Sequence, residues 1–136
     1  LSHVVPDLIQ KILKGQYPLH ILGTGDQIRH YTYGGDLAKG IVKCIFNKRA
    51  TNNDFNISTN ESTTVLELAK LIWQKINPSK QFKFVSDKPY TYDVQKRIPD
   101  TAKAKNILHY EALTTLDNML DVVIPWIKKQ IELGNI

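Results

Sequence analysis

The chain has 136 residues, 42% hydrophobic and 23% charged, with 7 Gly and 6 Pro; that balance fits one globular domain and excludes a disordered chain. No apolar run approaches the roughly 18 residues of a membrane helix, and the single cysteine, Cys44, excludes a disulfide framework and points to a reducing, cytoplasmic setting. The net charge of +5 invites anionic partners, but only Arg29, Arg49 and Arg97 are arginines and the lysines are scattered without a block, which describes a solvated surface better than a nucleic-acid face.

In chain order, residues 5–15 predict a helix. Pro6 sits in the first turn, where its missing N–H has no partner to lose; Leu8, Ile9, Ile12 and Leu13 form one stripe, and Gly15 stops it. Residues 19–22 predict a short strand, 23–26 a glycine-containing turn, and 28–33 a second strand with alternating faces. Gly34 and Gly35 break that strand, and Asp36 is placed to cap a helix over 37–47. A polar loop follows at 48–53, then a strand at 55–58. Thr64 and Glu67 have the spacing of a capping box ahead of the apolar series Leu66, Leu68, Ala69, Leu71, Ile72 and Ile76. Residues 82–85 alternate as a strand, and 86–100, with Pro89 and Pro99, read as irregular. Thr101 caps a short helix to Leu108. Thr115 opens a last helix through Ile131, which Pro125 should kink or split. Helices alternating with short strands, without internal repeats, make the class α/β or α+β.

Familiar catalytic signatures are missing. There is no Gly-x-Gly-x-x-Gly loop, P-loop or serine elbow, and His3, His20, His30 and His109 lack ligand spacing for a metal. Cys44 falls on the apolar face of a helix and reads as an inert buried thiol. Neither Tyr31 nor Tyr33 has a lysine four residues downstream. On these residues the chain holds no active site of its own.

Two segments stand out. In 23–41, a glycine-rich turn leads into a strand carrying Arg29 between apolar neighbours, then into a capped helix. A guanidinium so placed offers a planar fork to phosphate or carboxylate; the alternative is a surface salt bridge to Asp26 or Asp36. In 92–108, Arg97 stands just before Pro99 among polar donors, with a structural pair to Asp93 or Asp100 as its alternative. Arg49 lies in an Asn/Thr-rich loop and reads as solvated.

Together the motifs resemble a known family. Ser2-His-Val-Val-Pro6, Leu22-Gly-Thr-Gly-Asp-Gln-Ile-Arg-His-Tyr-Thr-Tyr33, Asp36-Leu-Ala-Lys-Gly40, Phe55-Asn-Ile-Ser58, the Thr64–Glu67 helix start, Arg97-x-Pro-Asp-Thr-x-Lys-Ala104 and the terminal Leu116…Trp126-Ile127 helix occur in order. They are similar to the C-terminal part of the extended short-chain dehydrogenase/reductases, closest to the NAD-dependent nucleotide-sugar epimerases and dehydratases. The resemblance covers almost the whole chain. It implies one nucleotide-sugar-binding domain over 1–136, with an N-terminal Rossmann domain that holds NAD expected upstream of Leu1. The Gly-rich loop and catalytic Tyr/Lys pair belong to that missing part, so the chain alone is expected to be inactive.

By the same resemblance, Arg29 binds the diphosphate of a UDP-, GDP- or dTDP-sugar, and Gln27 and Tyr31 line its pocket. Arg97 closes over the phosphates or ribose, and Asp93 is a candidate for a ribose hydroxyl. A homodimer is implied for the complete enzyme. Two departures mark the chain: Gly34-Gly35 stands where the family has a β-branched residue and an acid, and His109-Tyr110 where it has Gly-aromatic. Chain opening on Leu1 in an apolar–polar pattern already in progress, without a visible signal or transit peptide, also suggests a piece of something longer. A domain cut free in this way is expected to leave an apolar face uncovered. The other readings are a basic nucleic-acid-binding module and a stand-alone interaction domain. Convergence of Arg29 and Arg97 on one concave site favours the first reading, and a continuous lysine face the nucleic-acid module.

Overall fold

The computed structural model describes residues 3–136; Leu1 and Ser2, where the first family-like motif begins, lie outside the described residues. In chain order the elements are α1 (Val4–Leu13), β1 (Leu19–Leu22), β2 (Ile28–Arg29), α2 (Gly34–Ile45), a 3-10 turn (Lys48–Ala50), β3 (Thr63–Thr64), α3 (Val65–Ile76), β4 (Phe84–Asp87), α4 (Ala102–Leu108) and α5 (Leu116–Glu132). The expected mixed α/β class is met. No helix among the described residues is long and apolar enough to cross a membrane.

Hydrophobic periodicity places the core. α1 turns Leu8, Ile9 and Ile12 inward, α3 contributes Leu68, Ile72 and Trp73, α5 contributes Leu120 and Ile127, and β1 adds Leu19 and Ile21. α1 ends in a Schellman motif: Gly15 takes φ +83°, its N–H donates to Ile12 O at 3.0 Å, and Gln16 N–H donates to Lys11 O at 2.9 Å. That closure turns the chain back into β1. A smaller cluster of Ala104, Leu108 and Tyr110 packs with Phe55, Ile57 and Cys44. Cys44 is half-buried there.

Two small sheets hold the loops. β1 and β4 pair in parallel, with Leu19 against Phe84 and Leu22 against Asp87. β2 and β3 pair antiparallel, with Ile28 against Thr64 and Arg29 against Thr63. The strand expected over 28–33 is only two residues long, because β3 offers no partner beyond Arg29; Tyr31 and Tyr33 pack on the core instead. Residues 55–58 form no strand among the described residues. The strand expected at 82–85 is shifted to 84–87 by its register with β1, and Phe82 leaves it to meet Trp73 edge-on, ring centroids 5.9 Å apart.

Helix starts differ from expectation where side chains have better partners. α2 begins at Gly34 with Tyr33 as its uncapped N-cap residue, and Asp36 sits inside the first turn, 3% exposed. Its carboxylate accepts the Thr114 N–H at 2.7 Å, so it ties α2 to the approach to α5. Thr101 spends its hydroxyl on Asn60, and Asp100 accepts the Ala102 N–H at 2.9 Å instead. The capping box of α3 is present as expected. α5 runs unbroken through Pro125.

Candidate functional site

The site grows from the turn after β1. Gly25, at φ +84°, lies so close to α3 that an added Cβ would fall 2.9 Å from the Leu66 Cβ. A residue with a side chain is excluded there twice over, by conformation and by space. The turn delivers β2 alongside the segment after β4. Ile28 N–H donates to Gln95 O at 2.8 Å, and Arg97 N–H donates to Ile28 O at 3.2 Å; Ile28 and Lys96 form a parallel bridge. Arg29 and Arg97, remote in sequence, are therefore next to one another on adjacent extended segments.

Both arginines line one open cavity of about 840 Å³, together with His3, His30, Tyr31 and Ser58. The N-terminus of α1 borders it through Val4, Val5 and Pro6, and His3 supplies no side-chain cap to that helix. First-turn N–H groups of a helix have no intrahelical acceptor and favour an anion. Cationic side chains and a helix N-terminus thus face the same space.

Asp93 organises the approach. Its Oδ1 accepts from Arg29 Nη2 at 3.3 Å, and its Oδ2 accepts from Gln27 Nε2 at 2.8 Å. Arg29 Nη1 also donates to Ile28 O at 2.9 Å, so the guanidinium is held from two sides. Neither Asp26 nor Asp36 is its partner. Arg97 has no ion pair among the described residues, although Asp93 and Asp100 are near it in sequence. Gln27, 5% exposed, lies in a second cavity of about 160 Å³ with Asp7, Lys11, His20, Tyr90 and Asp93. Gln27 and Tyr31, expected in one pocket, thus line two, and Arg29 and Val4 border both.

Two polar atoms here are buried without a partner among the described residues: Gln27 Oε1 and the Tyr31 hydroxyl. Burial pushes the Tyr31 pKa up to about 12, against an opposing pull from the Arg29 charge. The phenol is therefore neutral at physiological pH and retains a proton to donate. Unpaired buried polar groups are costly, about 1–3 kcal/mol each, and their clustering beside Arg29 suits a polar ligand. His30 is pinned in the larger cavity: its Nδ1–H donates to Thr59 O at 2.8 Å and Nε2 meets the Ser62 hydroxyl at 2.9 Å. His3, His30 and Tyr90 are site residues that the sequence reasoning missed. Alternation from Arg29 sets His30 on the opposite face, so no strand pattern marks it; His3 falls within the first family-like motif without being singled out, and no local signal marks Tyr90.

One Tyr-x-x-x-Lys spacing does occur, from Tyr92 to Lys96. It lies in a turn and an extended segment, where four-residue spacing does not bring side chains onto one face as it does in a helix. Tyr92 is 95% exposed. No group of three or more His, Cys, Asp or Glu among the described residues is arranged to hold a metal ion.

The family model for GDP-mannose 4,6 dehydratase matches residues 1–123. The chain belongs to that family. The family expected from the motifs is the one found. UDP-glucuronic acid decarboxylase 1 of Xenopus tropicalis is 30% identical over 131 residues, 96% of this chain but 30% of that protein. UDP-glucuronic acid decarboxylase 1 of Arabidopsis thaliana is 33% identical over 116 residues, 85% of this chain and 25% of its own length. This family member thus spans a third or less of those relatives. Among solved structures, UDP-glucose 4-epimerase of Thermotoga maritima with UDP-glucose superposes with a TM-score of 0.83 at 29% identity, covering 96% of this chain and 40% of the other. UDP-glucuronic acid 4-epimerase from Bacillus cereus, in complex with UDP-glucuronic acid and NAD, shares the fold at a TM-score of 0.85 and 24% identity, over 94% of this chain and 40% of the other.

Proposed function

We propose that residues 1–136 are the nucleotide-sugar-binding domain of an NAD-dependent epimerase, dehydratase or decarboxylase, and that they grip the diphosphate of a UDP-sugar. The observation that carries this reading is the meeting of Arg29 and Arg97 at one cavity. A diphosphate bears about two charges and many acceptor oxygens, which suits two guanidiniums on adjacent segments. Asp93 aligns the Arg29 fork and is free to release it to a ligand or to accept a ribose hydroxyl itself. The neutral Tyr31 phenol borders the same cavity as the two arginines, and Gln27, in the smaller cavity, acts through its hydrogen bond to Asp93. Relatives named for UDP-sugars support uridine among the expected UDP, GDP and dTDP.

NAD does not fit these residues. The Gly23-Thr24-Gly25 turn runs from β1 into β2, strand to strand, so it presents no helix N-terminus to a pyrophosphate as a dinucleotide loop does. The cofactor and the catalytic Tyr/Lys pair fall to a Rossmann domain elsewhere in the protein. Two features support such a neighbour. α2 and its C-cap leave Leu37, Ile41, Val42, Ile45 and Phe46 exposed, and segment 55–58 beside it forms no strand among the described residues. In the complete enzyme, proposed as a cytoplasmic homodimer, binding energy from the nucleotide end would hold the sugar at the nicotinamide.

Isothermal calorimetry tests the reading. UDP should bind the chain and NAD should give no heat in the micromolar range. Arg29→Lys should weaken UDP by about tenfold or more, because a point charge cannot reproduce a two-pronged contact, while Arg49→Lys leaves it unchanged. Micromolar NAD binding, or equal effects at Arg29 and Arg49, would return both arginines to a merely structural role.

A further inference from the structure

β4 has one neighbour, β1, and among the described residues nothing pairs with its second edge. The parallel ladder decides which of its peptide groups are free. Leu19 N–H donates to Lys83 O and Gly23 N–H donates to Asp87 O, both at 2.9 Å. Residues 83, 85 and 87 therefore face β1, and Phe84 and Ser86 direct their N–H and C=O groups to the open edge. Phe84 and Val85 are exposed there. An edge of this kind is a template for another strand unless something blocks it. A lone lysine such as Lys83 blocks most strands, but not one that brings a carboxylate opposite it.

We propose that β4 pairs with β4 of a second copy, antiparallel about a two-fold axis through Val85, giving a four-stranded sheet in the order β1-β4-β4-β1. On that axis Phe84 faces Ser86 of the second copy, and each such pair exchanges both its N–H···O bonds. Val85 meets Val85 at the position where opposed side chains lie closest. Lys83 faces Asp87 of the second copy, and symmetry repeats the ion pair on the other side. Asp87 is equipped for this: its Oδ1 is taken by His20 Nδ1 at 2.9 Å, which leaves Oδ2. Lys83 has no ion pair among the described residues. The two neighbouring registers that keep the outward peptide groups paired set Lys83 or Asp87 against Val85 and lose both ion pairs. Charge therefore selects one register, and the contact is self-complementary as a two-fold interface must be.

Sedimentation equilibrium decides the matter. The wild-type chain should be a dimer at tens of micromolar. Lys83→Glu and Asp87→Lys should each weaken association by about tenfold or more, since each sets like charges face to face. An equimolar mixture of the two variants should dimerise again, because the glutamate introduced in one chain then meets the lysine introduced in the other. A monomeric wild type, a dimer that persists in Lys83→Glu, or a mixture that stays monomeric would overturn the proposal; persistence would place the contact elsewhere, such as the apolar face of α2. If Asp87→Lys loses its circular dichroism signal, Lys83→Glu decides alone: dissociation supports the strand pairing and retention overturns it.

Discussion

Asp36 shows how much one side chain depends on what surrounds it. From its position after Gly34-Gly35 it reads as a helix cap; in the structure it is a buried carboxylate that accepts the Thr114 N–H, while the Tyr110 hydroxyl donates to its main-chain oxygen at 2.6 Å. Burial alone would raise its pKa, but the hydrogen bonds from Thr114 and the nearby Lys39 outweigh burial and hold it below the ordinary 3.8. A depressed carboxylate stabilises the fold above its ordinary pKa and loses that contribution as pH falls through the folded-state value. Asp36→Ala should therefore cost about 1–3 kcal/mol at neutral pH, since it orphans the half-buried Thr114 N–H. In urea denaturation the gap between wild type and variant should be full at pH 7 and shrink below about pH 4. A gap that stays constant with pH would mean that the carboxylate's charge contributes nothing.

At the scale of elements, α3 anchors the site from below. Its capping box is reciprocal: Glu67 N–H donates to the Thr64 hydroxyl at 3.1 Å, and Thr64 N–H donates to Glu67 Oε2 at 2.8 Å. Thr64 also ends β3, opposite Ile28, one residue from Arg29. Thr64→Ala should destabilise the chain by about 1 kcal/mol, and Thr64→Ser should recover most of the loss. Thermal melts followed by circular dichroism measure both. The cap was legible beforehand because every participant lies within four residues. Thr101 and Asp36 offered equally good local patterns and cap nothing with their side chains, because Asn60 and Thr114, distant in sequence, compete for them.

For the whole molecule, the telling feature is α2. Its Leu37, Ile41 and Ile45 fall at helical spacing on one side, with Ile45 69% exposed, whereas Gly40, roughly 100° around the axis from the middle of that stripe, is buried against Tyr110 and Ile57. An amphipathic helix that turns apolar residues to water is the face that the proposed neighbouring domain would cover. The chain should therefore bind the dye ANS in its native state. Ile41→Glu with Ile45→Glu should reduce that fluorescence while leaving helicity intact, because neither side chain belongs to the core. Loss of helicity in the double variant would show that the face is structural within the chain.

The division between sequence and structure follows the range of the interactions. Helix positions, the Schellman turn at Gly15 and the α3 capping box are set by contacts a few residues apart, so periodicity and cap residues sufficed to place them. The family motifs picked out Arg29, Arg97, Gln27, Tyr31 and Asp93 one at a time. Strand lengths were not legible, because a strand extends only as far as its partner: β2 stops at Arg29 where β3 runs out, and 55–58 has no strand partner among the described residues. Nor could the sequence say that Asp93 would hold Arg29 and Gln27 together, or that Arg97 would lie beside Arg29. Those facts depend on the Ile28–Lys96 bridge, a contact between distant segments that only the packed chain brings into register.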